Sequence, residues 1–390
     1  MGKYDFTSLP NRFGHHTYKW KEAEADREIL PAWIADMDFV VLPEVRQAVQ
    51  AYADQLVYGY TYASDALIQS VQDWEENQHG YTFDKEALVF IEGVVPAIST
   101  AIQAFTKEGE AVLINTPVYP PFARSVKLNN RRLITNSLVE KDGLFEIDFD
   151  QLEKELVGED VKLYILCNPH NPVGRVWTND ELALMNAICM RHNVKVISDE
   201  IHCELIMPGY TFSPFAAVSS DCLKNSVICN SPTKNFNIAG LQIANIICDN
   251  KEWRRRIDRI INIFEVCDVN PFGPIALEAA YNESEEWLNQ LIPHIAGNYA
   301  LLKETFKKQL PNYGVMKLEG TYLVWVDIRK SGLNADELAE KLLRDGKVQV
   351  NSGMMYGKTA GEDYIRINIA CPRAILQEGL NRIVKVLTHL

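Results

Sequence analysis

The stretch Ser231-Pro232-Thr233-Lys234-Asn235-Phe236-Asn237-Ile238-Ala239-Gly240 decides the fold. The apolar run Val227–Cys229 leads into it and Ile243–Cys248 follows. Short continuous apolar runs read as strands buried on both faces. The lysine therefore stands in a turn at a strand end. A lysine in such a turn is ordinarily a solvated loop charge, so its meaning depends on what lies upstream.

Asp199 stands just past the run Val194–Ile197, and Asn171 past Lys162–Leu166. Further runs occur at Leu88–Ile91 and Ala111–Ile114, with helix-length segments such as Pro96–Phe105 and Glu181–His192 between several of them. This alternation predicts an α/β fold: a large domain with a mainly parallel sheet between helices. Such sheets bind ligands beyond the C-terminal ends of their strands, where Asn171, Asp199 and Lys234 all fall. Those three residues are what pyridoxal 5′-phosphate (PLP) requires. The lysine condenses with the aldehyde, and the aspartate keeps the pyridine nitrogen protonated. The asparagine donates a hydrogen bond to the ring oxygen.

Other candidates extend the site. Gly93, Val94 and Val95 follow the run Leu88–Ile91 and open a helix, whose free N–H groups and dipole favour a phosphate. The Ser231 hydroxyl, three residues before Lys234, can reach the same phosphate. Tyr119, in Thr116-Pro117-Val118-Tyr119-Pro120-Pro121, can stack on a planar ring. His202 can touch the ring oxygen or Asp199. Arg366 interrupts the apolar strand Tyr364–Ile369, and its planar fork suits a substrate carboxylate. Lys234 must lose its proton to act as nucleophile and base, so the site must lower its pKa from about 10.4.

Elsewhere Val45–Gln55 and Ser64–Gln78 show helical periodicity, and Ala32–Ala35 reads as a strand. After the Pro271–Pro274 break a long helix is expected from Ile275 towards Tyr299. Thr321–Val326 reads as another strand, Asn334-Ala335-Asp336-Glu337 as a capped helix start, and Pro372 as the opening of the last helix. The expected layout is a large domain at 46–280 and a smaller α+β domain at 281–390, with segment 1–45 packing on the smaller one.

With 47% hydrophobic and 23% charged residues, the 390-residue chain has the composition of a soluble globular protein. A net charge of −13 argues against nucleic acid or an anionic membrane as partner. The 8 cysteines, Cys167, Cys189, Cys203, Cys222, Cys229, Cys248, Cys267 and Cys371, have no metal-ligand spacing. They read as reduced core thiols, and no metal site is expected. The N-terminus lacks a signal pattern, and no run is long enough to span a bilayer, so a cytoplasmic location is expected.

Taken together these segments resemble the PLP enzymes of fold type I in the class I/II aminotransferase superfamily. More narrowly they resemble the MalY/PatB group of cystathionine β-lyases. The matching segments are Lys19-Trp20, Trp33-Ile34-Ala35-Asp36-Met37-Asp38-Phe39, Tyr58-Gly59-Tyr60, Gly93-Val94-Val95-Pro96 and Cys167-Asn168-Pro169-His170-Asn171-Pro172-Val173-Gly174. Ser198-Asp199-Glu200-Ile201-His202, the Lys234 segment and Arg366-Ile367-Asn368-Ile369-Ala370-Cys371-Pro372-Arg373 complete the set. The resemblance implies a PLP-dependent transferase fold and cleavage of L-cystathionine or other L-cysteine S-conjugates to a thiol, pyruvate and ammonia. It implies that Lys234 holds the cofactor and carries the proton. Asp199 would face the pyridine nitrogen, Asn171 the ring oxygen and Tyr119 the ring face. Ala35, Tyr119 and Arg366 would contact the substrate. Tyr60 would reach the phosphate of a neighbouring subunit's cofactor, which implies a homodimer with sites at the interface. Many relatives carry an arginine where Gln242 stands, and many aminotransferases carry a tyrosine where His202 stands. An amino-acid aminotransferase and a regulatory or binding protein of the same fold are the two alternatives, because fold does not fix reaction.

Overall fold

The computed structural model describes residues 3–55, 57–265 and 269–390. Every residue of the strands Ala111–Thr116 and Ser226–Asn230 is buried, as continuous apolar runs require. Successive side chains in a strand point to opposite faces. Val112, Ile114, Ile165, Ile197 and Val227 accordingly pack under the helix Val94–Phe105 on one face. Ala111, Leu113, Tyr164, Leu166, Val196 and Ile228 pack against the helices Phe149–Gly158 and Asn179–Arg191 on the other.

The resulting sheet has seven strands. In spatial order they are Leu88–Ile91, Ala244–Ile247, Ser226–Asn230, Lys195–Asp199, Val161–Cys167, Ala111–Thr116 and Arg132–Ser137. Ala244–Ile247 is antiparallel to both neighbours, and the remaining pairs are parallel. The sheet is therefore mainly parallel, as the alternating pattern predicts. Gly93, Tyr119, Asn171, Asp199 and Lys234 lie at or beyond the C-terminal ends of five of these strands.

A second sheet of four antiparallel strands is formed by Gly314–Val315, Leu323–Asp327, Tyr364–Asn368 and Asn351–Ser352. The helices Ala335–Gly346 and Arg373–Leu387 share its hydrophobic core, and a capping box of Asn334 and Glu337 starts the first. The expected single helix after Pro274 is two, Phe272–Glu283 and Glu285–Gln309, broken at Ser284. Apolar periodicity runs through both and conceals the break. Ala32–Ala35 is not a strand. Pairing is confined to Leu30–Pro31, parallel to Val348–Gln349, and the next residues turn towards the cavity.

Charge holds this turn in place. Lys19 and Asp38 are 1% and 2% exposed, and Lys19 Nζ lies 2.7 Å from Asp38 Oδ2. Trp20 Nε1 donates to Asp38 at 3.0 Å, and Arg12 bridges Asp36 and Asp38. Breaking a buried pair leaves an uncompensated charge. Asp38→Asn is thus expected to destabilise the fold by about 3–5 kcal/mol, read as a lower denaturant midpoint. A loss below about 1 kcal/mol would contradict the pairing.

Seven cysteines are free and buried: Cys167, Cys189, Cys203, Cys222, Cys229, Cys248 and Cys371. Cys267 lies outside the described residues. Among the described residues, no helix is long and apolar enough to cross a membrane.

Candidate active site

A cavity of about 670 Å³ opens at the C-terminal strand ends, between the two sheets. Its lining includes Ala35, Gly93, Val94, Val95, Tyr119, Asn171, Asp199, His202, Lys234 and Arg366. Residues from distant parts of the sequence thus converge on one space.

Lys234 Nζ donates to the Ala35 carbonyl at 2.7 Å. Burial pushes its pKa down to about 8, helped by the Arg366 charge and opposed by Asp36 and Asp199. The next residue anchors the turn. Asn235 donates to Glu204, which also accepts from Trp74 Nε1 at 2.7 Å. Asn237 clasps the 37–39 backbone from the same loop, through the Met37 N–H and the Met37 and Phe39 carbonyls. An amine this close to neutrality is available both as a nucleophile and as a base.

Asp199 ends its strand and is 3% exposed. Burial pushes its carboxyl up to about 7, although the Ile201 N–H and Lys234 favour the ionised form. A protonated ring nitrogen beside it would restore the carboxylate by opposite charge. His202 is equally buried, and burial, Lys234 and Arg366 push its pKa down to about 3, so it stays neutral. Its Nδ1 has no hydrogen-bond partner.

Arg366 is 3% exposed, so its strand does not present it to solvent. Asn351, its register partner, accepts from Nη2 at 2.7 Å. Asn171 accepts from Nη1 at 3.0 Å, and the Trp33 carbonyl from Nη2 at 2.6 Å. The guanidinium also lies 4.9 Å from the centre of the Tyr356 ring. Among the described residues these partners are all neutral, and Nε has none. A buried cation without a counter-ion is a built receptor for an anion.

The loop that carries Asn171 is fixed from below. Arg175 Nε donates to Glu319 at 2.9 Å, and the Val176 N–H donates to the same carboxylate at 2.9 Å. Gly174 has φ +76° and packs against Leu318, a conformation and approach that suit glycine.

Two of the expected site residues lie elsewhere. Ser231 is not among the cavity residues. Its hydroxyl donates to the Ile243 carbonyl at 2.6 Å and accepts from the Thr233 N–H at 3.1 Å, and Thr233 lines the cavity instead. The local turn sets that choice, and spacing from Lys234 cannot reveal it. Tyr60 is 98% exposed and is not among the residues that line this chain's own cavity, the expectation for it being a neighbouring subunit's site. Sequence reasoning missed Tyr18, Trp33 and Asn351. Trp33 stands in a quoted motif, but nothing in the sequence marks Tyr18 or Asn351.

The helix N-terminus at Val94, the buried Lys234 amine and Asp199 carboxyl, the Tyr119 ring and the orphan His202 nitrogen form a set of groups that fits PLP. A family model described as aminotransferase class I and II matches residues 34–383. The chain belongs to the class I and II aminotransferase family. Within that family it is 38% identical to cystathionine beta-lyase PatB of Bacillus subtilis, over 98% of this chain and 100% of the relative. Cystalysin of Treponema denticola, whose structure contains a PLP cofactor, superposes with a TM-score of 0.96 at 34% identity, covering 99% of both chains. The PLP-bound C-S lyase of Staphylococcus hominis gives 0.92 at 31% identity, also over 99% of both. The chain thus lies in the MalY/PatB group of the aminotransferase family.

Proposed function

We infer that this protein is a PLP-dependent carbon–sulfur β-lyase acting on L-cystathionine or other L-cysteine S-conjugates. The observation that carries the reading is a near-neutral lysine and an unpaired buried arginine facing one cavity, in a chain 38% identical to a cystathionine β-lyase over its length.

When bound, PLP supplies the electron sink that lets a Cα–H bond break heterolytically. We propose the following roles for the chain's own groups. Arg366 holds the substrate α-carboxylate and so fixes the direction of the Cα–H bond. Lys234 would hold the cofactor and, as the free amine, would take the substrate's Cα proton on Nζ. Asp199 keeps the ring nitrogen protonated, Asn171 and His202 face the ring oxygen, and Tyr119 covers the ring face. The amides of Gly93, Val94 and Val95, with Thr233, cup the phosphate. As the Cα proton leaves, the Cβ–S bond breaks and sulfur departs with its electron pair as a thiolate, which is protonated to the thiol. The 2-aminoacrylate released takes up water and gives pyruvate and ammonia.

A homodimer, with Tyr60 reaching the partner's cofactor phosphate, belongs to the same proposal. Its support is the exposed segment holding Val57, Tyr58, Tyr60 and Tyr62, 59–98% exposed, in which Tyr58 packs near Tyr52 and Phe272 while Tyr60 and Tyr62 present their rings to solvent. We also propose a large domain at 46–280 and a small one at 281–390 with segment 1–45, and a cytoplasmic location, supported by the seven buried free thiols.

Two measurements test this reading. The first separates elimination from transamination. PLP-loaded protein given L-cystathionine is expected to release pyruvate continuously without an added keto acid. An aminotransferase would stop after one turnover until a keto acid is supplied, and that outcome would reject the lyase. The second reads Lys234 alone. The rate at which apoenzyme captures PLP should rise about tenfold per pH unit below about 8 and level off above it, because only the unprotonated amine attacks the aldehyde. A profile still rising tenfold per unit at pH 10 would show an ordinary lysine.

A further inference from the structure

The cavity's polar groups are unevenly placed. Lys234, Asp199 and Arg366 face the positions of the cofactor and the substrate's Cα. Glu92 adjoins Gly93, and Arg124 stands on the helix Pro120–Leu128, so both these charges belong to other segments than the one that carries Trp33. One wall is made by Tyr18, Trp33, Ile34 and Ala35, with Met355 also lining the cavity, and none of these described residues carries a charge.

Two rings dominate that wall. Tyr18 and Trp33 have centroids 5.4 Å apart with planes inclined at 45°. The Trp33 indole N–H donates to the Lys19 carbonyl at 2.9 Å, so its polar edge is engaged and its orientation fixed. Lys19 is itself locked by buried Asp38. The Trp33 carbonyl accepts from Arg366, which puts this residue next to the substrate's carboxylate. Tyr18 is 67% exposed on the short turn Tyr18–Trp20, so its ring can meet an incoming group without repacking the core. A substituent leaving with sulfur from Cβ has these faces to lie against. Among the residues lining this wall a second amino acid finds no charged side chain, whereas a flat apolar group stacks.

We propose that Tyr18 and Trp33 determine specificity for the sulfur substituent, and that the preferred substrates are L-cysteine conjugates of thiols that carry an aromatic ring. The proposal rests on the lyase reading above and deepens it.

The test compares kcat/KM for pyruvate release from S-benzyl-L-cysteine and S-ethyl-L-cysteine, in the native enzyme and in Tyr18→Ala and Tyr18→Phe. Taking the ratio between conjugates in each protein cancels the intrinsic difference between leaving thiolates. The benzyl-to-ethyl ratio is expected to fall about 5- to 10-fold in Tyr18→Ala, mainly through KM, and to be retained in Tyr18→Phe. Trp33→Phe should lower it less than Tyr18→Ala, because a ring remains. An unchanged ratio in Tyr18→Ala would overturn the proposal while leaving the lyase reading intact. So would a native enzyme whose kcat/KM for L-cystathionine exceeds that for the benzyl conjugate. Absence of pyruvate from every conjugate would overturn the lyase reading, and the proposal with it.

Discussion

Lys234→Ala is expected to lower pyruvate release from L-cysteine conjugates by at least about 10³-fold, with protein that still folds. Lys234 has two proposed tasks, fixing the cofactor and moving the Cα proton, and proton transfer alone contributes about 10²–10⁴-fold. The side chain makes one hydrogen bond, to the Ala35 carbonyl, so its removal costs the fold little. The neighbours that shape the loop stay in place, since Asn235 and Asn237 make their own contacts with Glu204 and the 37–39 backbone. The measurement is a steady-state pyruvate assay beside a thermal melt. Retained activity above about a tenth of native would remove Lys234 from the chemistry. Lys234→Arg keeps a charge but presents a group that cannot lose its proton near neutral pH, so it should be as inactive as alanine.

Arg366→Leu is expected to raise KM for every L-amino-acid substrate by about two to three orders of magnitude, the equivalent of about 3–4 kcal/mol. The guanidinium is buried among neutral partners, Asn171, Asn351 and the Trp33 carbonyl, and no internal carboxylate must be displaced first. Its attraction for a substrate carboxylate is therefore undivided and weakly screened. Arg366→Lys keeps the charge but loses the fork and the contact with the Tyr356 ring, so its KM should fall between the two. Equal KM values for native and leucine enzymes would place the carboxylate elsewhere.

The reach of the sequence follows from which structural rules are local. Apolar runs such as Ala111–Ile114 reported their strands because burial on both faces demands continuous hydrophobicity. Residues at parallel strand ends then converge by topology, which made Asn171, Asp199 and Lys234 legible together. Arg366 was ambiguous on periodicity alone. Its strand is buried throughout, so an interruption in the apolar pattern marked the cavity rather than solvent. Side-chain direction in irregular segments was not legible. Ser231 and Thr233 sit two residues apart in one turn, and the bond from the Ser231 hydroxyl to the Ile243 carbonyl, which no spacing announces, accompanies Thr233 and not Ser231 in the cavity lining. Tyr18 joins Trp33 through the buried Lys19–Asp38 pair, a tertiary arrangement that no spacing announces. The break at Ser284 was hidden because both flanking helices bury apolar faces in the same cluster.

The most direct measurement quantifies pyruvate, ammonia and free thiol together from L-cystathionine and PLP-loaded enzyme, with no keto acid present. The expected result is all three products in equal amounts over many turnovers, abolished in Lys234→Ala. Thiol absent, or amino-group transfer with no ammonia, would contradict a carbon–sulfur lyase built on this lysine.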